Sequence, residues 1–153
     1  MKKIIIFFAV LLLACGCKVI ETPRGYIEKE PYPYLFKAVS INACAFTVTE
    51  TDNEGNADLE TWKEAAKNQL TRGKGYQLVA EDKLETGKGS PGWEMVFATE
   101  QSGLEYIYYV AVARWDDNFW GIHKLYVIEA AGEKGYIEKD LDAIKRAARS
   151  LRY

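Results

Sequence analysis

The stretch Tyr106–Arg114, YIYYVAVAR, constrains this chain more than any other. In a β-strand successive side chains point to opposite faces. Tyr106, Tyr108, Val110 and Val112 fall on one face, and Ile107, Tyr109, Ala111 and Ala113 on the other. Both sets are apolar, so neither face can be left to water. The strand therefore predicts a sheet with a layer packed on each side.

The neighbouring segments supply the rest of the sheet and its covers. Residues 35–41 and 45–51 read as two strands around Asn42-Ala43, and 52–56 as a turn. A helix is expected over 58–72. Asp58 is its N-cap, Leu59, Trp62, Ala66 and Leu70 form its apolar face, and Gly73 and Gly75 end it. Strands follow at 76–84, 93–99, 106–114 and 120–129, with a hairpin turn at Gln101-Ser102-Gly103 and another at Asp116-Asp117-Asn118. Ile137, Leu141, Ile144, Ala148 and Leu151 form one helical stripe within 136–151. The order ββ-α-ββββ-α with short turns means an α+β domain, an antiparallel sheet with helices on both faces.

At 153 residues the chain is long enough for one such domain. With 48% hydrophobic and 27% charged residues it is neither disordered nor a multi-span membrane protein. It contains one histidine and three cysteines, so zinc sites and histidine-dependent catalysis have few residues to draw on.

The N-terminus has the pattern of an export signal. Lys2 and Lys3 precede an uncharged run from Ile4 to Ala14, too short to span a bilayer, which needs roughly 20 apolar residues. Leu12-Leu13-Ala14-Cys15 resembles the lipobox of bacterial lipoproteins. That resemblance implies cleavage before Cys15 and lipid on its thiol, with Cys17 as the alternative acceptor. Gly16 rather than Asp after the cysteine resembles lipoproteins sent to the outer membrane, which implies its periplasmic face. The chain then divides into a signal peptide (1–14), a lipidated cysteine with an extended tether (15–34, carrying three of the four prolines) and a domain (35–153). Cleavage removes Lys2 and Lys3, so the basic count falls from 20 to 18 against 22 acidic residues. Such a mildly acidic domain lacks the basic cluster that nucleic acid requires.

From Phe36 to Arg152 the chain resembles the PsbP-like α/β/α sandwiches. That group includes a photosystem extrinsic subunit, a Ran-binding nuclear import factor and the DcrB-like bacterial lipoproteins. The resemblance is carried by the helix of Leu59, Trp62 and Leu70, by Gly75-Tyr76 and by the Gly92-led strand. Tyr106-Ile107-Tyr108-Tyr109, the segment Leu125–Gly132 and the terminal Ala147-Ala148-Arg149-Ser150-Leu151 complete it. It implies a binding or assembly module and carries no active site across.

The remaining motifs read as structure. Asp52, Glu54, Asn56 and Asp58 alternate oxygen ligands, but Gly55 comes two positions before the glycine of a calcium loop and Lys63 stands where its final Glu belongs, so a polar turn before a helix cap is expected. Gly87–Gly92 lacks phosphate-loop spacing, and Lys88-Gly89-Ser90-Pro91-Gly92 lacks the nucleophile-elbow pattern. His123 lies within a strand with no nucleophile in any recognisable motif, and Cys44 reads as a small buried residue. Cys17–Cys44 is the disulfide left open if Cys15 is lipidated. Trp115, Phe119 and Trp120 bracket one tight turn and cannot all enter the same core, which marks them as candidate partner-binding residues.

No catalytic residue, metal or cofactor is expected. The expected partners are the membrane, through the N-terminal lipid, and an envelope protein. The alternatives are a small-ligand carrier, which needs an apolar cavity, or an envelope hydrolase, which needs a deep pocket at His123 with Asp or Glu beside it.

Overall fold

The computed structural model describes residues 18–117 and 119–152. The expected signal peptide (1–14), Cys15, Cys17, Asn118 and Tyr153 lie outside the described residues, and with them the proposed lipidation and the Cys17–Cys44 disulfide. Among those described, seven strands form one antiparallel sheet: β1 (Tyr26–Glu28), β2 (Phe36–Ser40), β3 (Ala45–Asp52), β4 (Gln77–Glu85), β5 (Pro91–Gln101), β6 (Leu104–Asp117) and β7 (Ile122–Glu133). Their spatial order is β1-β2-β3-β7-β6-β5-β4. The β1–β2–β3 and β4–β7 runs are local meanders, and the β3–β7 pairing joins them. Helix α1 (Leu59–Asn68) lies on one face and α2 (Lys134–Arg149) on the other. The α+β class and the two-sided cover expected from Tyr106–Arg114 are both present.

The two alternations of β6 feed two separate cores. On the α2 side Ile107, Tyr109, Ala111 and Ala113 join Phe46, Ile128 and Ala130 beneath Ile137, Ile144, Ala147, Ala148 and Leu151 of the C-terminal stripe. On the α1 side Val110 and Val112 pack with Trp93, Met95, Phe97 and Leu125 against Leu70, with Leu59 and Ala66 partly buried. Asp58 caps α1 by accepting from Thr61 N at 2.7 Å. The helix does not run on regularly to Arg72. Its last turn widens over Gln69–Gly73, and Gly75, at φ +73°, reverses the chain into β4. Trp62 is not a core residue either. It stays 36% exposed, and its indole N–H donates to Asn53 Oδ1 at 2.9 Å.

Residues 18–34 are not a free tether. Ile20 is 1% and Tyr26 7% exposed, and both belong to the α2-side core. Val19 O accepts from Arg152 N at 2.7 Å, and Ser150 Oγ accepts from Glu21 N at 2.8 Å. Residues 26–28 add the edge strand β1 to β2. A three-residue strand between prolines has too few positions to show alternation, and its partners lie far along the chain. The packed domain therefore starts by residue 18 rather than 35.

Two glycines permit close approaches. A Cβ on Gly132 would overlap Cys44 Sγ, and one on Gly92 would overlap the Val112 carbonyl oxygen. Cys44 is buried, in the β2–β3 connection just before β3 rather than on a strand, and forms no disulfide among the described residues.

Glu94 is a feature that the periodicity hid. It is 1% exposed on the α2 face of β5. Tyr109 OH donates to it at 2.9 Å, Arg149 Nη2 lies at 3.1 Å and Lys145 Nζ at 3.3 Å. This cluster clamps the C-terminal half of α2 to β5. Burial, followed by the Glu94 charge, raises the Tyr109 phenol above its ordinary range. With Trp93, Met95 and Phe97 on one face, Glu94 had to face the opposite core. A carboxylate in a strand buried on both sides signals a paired charge.

Candidate functional site

The β6–β7 hairpin runs past both neighbouring strands. Gly92 near the start of β5 pairs with Ala113, and Asp52 at the end of β3 pairs with Lys124, whereas β6 and β7 stay paired out to Asp117 and Ile122. Asp116 and Asp117 are thus strand residues, and the turn expected at Asp116-Asp117-Asn118 sits further along. Asp117 Oδ1 accepts from Phe119 N at 2.9 Å and from Trp120 N at 3.2 Å, which holds the turn. Gly121, at φ +64°, completes it.

This geometry separates the three aromatics that the sequence brought together. Trp115 lies on the α2 face, half-buried against the core. Phe119 and Trp120 are 84% and 72% exposed, edge to face with their ring centroids 4.9 Å apart. Ile122 beside them is also exposed. Two large rings and a branched aliphatic at one projecting point form an apolar patch unlike scattered surface hydrophobics.

Behind the tip, on the α1 face, β6 and β7 place a polar cluster. Asp116 Oδ2 accepts from Arg114 Nε at 2.6 Å, and Asp116 Oδ1 lies 2.7 Å from His123 Nδ1. Burial raises the Asp116 carboxyl, but the bonds to His123 and Arg114 outweigh it and hold the carboxyl below its ordinary value. Asp116 orients the ring, and His123 borders an open recess lined also by Asp52, Asn53, Glu54, Gly121 and Ile122. None of these residues carries a hydroxyl or thiol nucleophile. Asn53, 4% exposed, donates its backbone N–H to His123 O at 2.9 Å and ties the α1 start to β7. Sequence reasoning missed the Asp116–His123 pair because it placed the turn too early. A hairpin centred between residues 119 and 120 puts 116 opposite 123.

The other candidates resolve into structure. Asp58 caps a helix, and among the described residues no three of His, Cys, Asp and Glu gather into a metal-binding group. Gly87–Ser90 connects β4 to β5, with Thr86 accepting from Gly89 N at 2.8 Å. Among the described residues no helix is long and apolar enough to cross a membrane.

No protein-family model matches the chain, and no curated protein matches it. Solved structures do. LpqN, involved in cell envelope biogenesis of Mycobacterium tuberculosis, superposes with a TM-score of 0.70 at 12% identity, over 86% of this chain and 79% of LpqN. The fold is shared with LpqN. PA94, a protein of unknown function from Pseudomonas aeruginosa, gives a TM-score of 0.55 at 8% identity, over 84% of this chain and 96% of PA94. The Saccharomyces cerevisiae Ran-binding protein Mog1p gives 0.49 at 13% identity, over 83% and 80% of the two chains. At these identities the likeness establishes architecture alone.

Proposed function

We propose that this protein is a lipid-anchored module of the bacterial cell envelope that works by surface contact rather than by catalysis. The observation that carries this reading is the exposed Phe119–Trp120 tip on a sandwich whose two cores are filled by side chains. The lipobox-like Leu12–Cys15 supplies the anchor, and the likeness to LpqN, itself an envelope-biogenesis protein, supports the setting. Periplasmic exposure on the outer membrane and assembly with an envelope protein belong to the same reading. The test is mass spectrometry of the mature N-terminus from the membrane fraction. A diacylglyceryl group on Cys15 is expected, and an unmodified N-terminus in a soluble fraction overturns the reading. A photo-crosslinker at position 120 in intact cells is expected to give one reproducible adduct, whereas no adduct argues against a contact surface.

The Asp116–His123 pair favours a second reading, hydrolysis at the Asp52–His123 recess with a water as nucleophile. Loss of an envelope hydrolase activity in His123→Gln with unchanged folding would select it.

A further inference from the structure

The packed N-terminal segment changes what the lipid anchor can do. Because the described chain is held at Val19 by Arg152, Cys15 is only four residues from a fixed point. Four residues reach at most about 14 Å even when fully extended. A domain so tethered sits against the bilayer, with a particular end facing it.

The topology identifies that end. Gly87 N donates to Arg149 O at 2.7 Å, so the C-terminus of α2 lies at the β4–β5 connection. This is the end of the sheet where β5 begins and β6 finishes, since Gly92 pairs with Ala113. Val19 is bound there through Arg152. The β6–β7 tip projects from the same end, beyond both adjacent strands. The point nearest the anchor is therefore also where Phe119, Trp120 and Ile122 are exposed.

Their chemistry suits a lipid interface. Tryptophan and phenylalanine settle at the headgroup level, where an apolar ring and a polar N–H are both accommodated. Of the acids near the tip, Asp117 is engaged by the turn amides, Asp116 by Arg114 and His123, and Asp52 by Lys124 at 3.5 Å, while Glu54 lines the adjoining recess behind the rings. The chain's excess of acidic over basic residues gives no attraction to anionic headgroups, so the contact is apolar and a zwitterionic surface suffices.

We propose that Phe119 and Trp120 dock into the headgroup–acyl boundary of the same bilayer that holds the chain's N-terminal lipid. The tip is a second contact that fixes the domain's orientation, and the proposal rests on the lipid-anchored reading above. The purified lipid-bearing protein is reconstituted into phosphatidylcholine vesicles containing phospholipid brominated on its acyl chains. The chain has four tryptophans, so wild type is expected to lose up to one tryptophan's share of its emission. Trp120→Phe is expected to lose that quenching while still floating with the vesicles, and Phe119→Ser to weaken it with an unchanged circular dichroism spectrum. Equal quenching in wild type and Trp120→Phe, with both floating and lipid-bearing, overturns tip docking and leaves the anchor reading intact. An unmodified N-terminus on a protein that does not float overturns both. A protein rather than lipid adduct from the crosslinker at position 120 overturns docking in favour of a protein partner.

Discussion

The buried Glu94 cluster makes an asymmetric prediction. Glu94 is 1% exposed, whereas the side chains of its cationic partners Lys145 and Arg149 are 27% and 45% exposed. Removing the carboxylate lets both cations turn to water. Removing the cations strands a carboxylate with the Tyr109 hydroxyl as its remaining partner from the cluster. Glu94→Gln keeps the shape and an acceptor for Tyr109, so it is expected to cost about 1–2 kcal/mol. Lys145→Met with Arg149→Met is expected to cost about 3–5 kcal/mol, the range for a buried charge left unpaired. At this chain length roughly 3–4 °C accompanies each kcal/mol, so the expected melting-temperature losses are about 3–8 °C and about 10–20 °C. Adding Glu94→Met to the cation double variant is expected to recover most of the loss, because an apolar trio needs no ion pairing. Thermal unfolding in detergent, followed by circular dichroism, measures all three. A Glu94→Gln loss as large as that of the cation variant, or no recovery in the triple, would refute the claim that the desolvated carboxylate is the costly member.

Other substitutions probe the packing and the charge pairs. Gly132→Ala places a methyl on Cys44 Sγ and should cost about 1–3 kcal/mol, partly relieved by Cys44→Ala in a double-mutant cycle; simple additivity would count against the contact. Tyr26→Phe removes a buried hydroxyl that makes no hydrogen bond among the described residues, so urea unfolding should show stability unchanged or slightly higher. The Glu81 carboxyl is held below its ordinary value first by Lys67 and then by Lys63, which ties β4 to α1. A lowered folded-state value means that this contribution is complete above the ordinary carboxyl value near 4.5 and is lost as pH falls through the depressed one. Melting temperature should therefore drop on acidification across that window, and less so in Glu81→Gln; equal acid sensitivity would show that the pair contributes nothing.

The legible parts of the fold are those with a local period. Tyr106–Arg114 announced two covered faces, and Ile137–Leu151 announced the helix for one of them. The Glu94 pairing and the Asp116–His123 pair were illegible because each depends on register between segments. Residues 18–28 were misjudged for a related reason: Ile20 and Tyr26 are buried by α2 and β2, from which intervening sequence separates them.

The sequence by itself determined the element types and the α+β class. Those follow from short-range periodicity, because a strand alternates every residue and a helix returns every three or four. Only the tertiary structure decided that β3 joins β7, that the supposed tether is packed, and that Trp115 turns to the core while Phe119 and Trp120 face outward. Hydrogen-bonded register and burial are set by segments distant along the chain, and no local pattern encodes which of three neighbouring aromatics will find a partner.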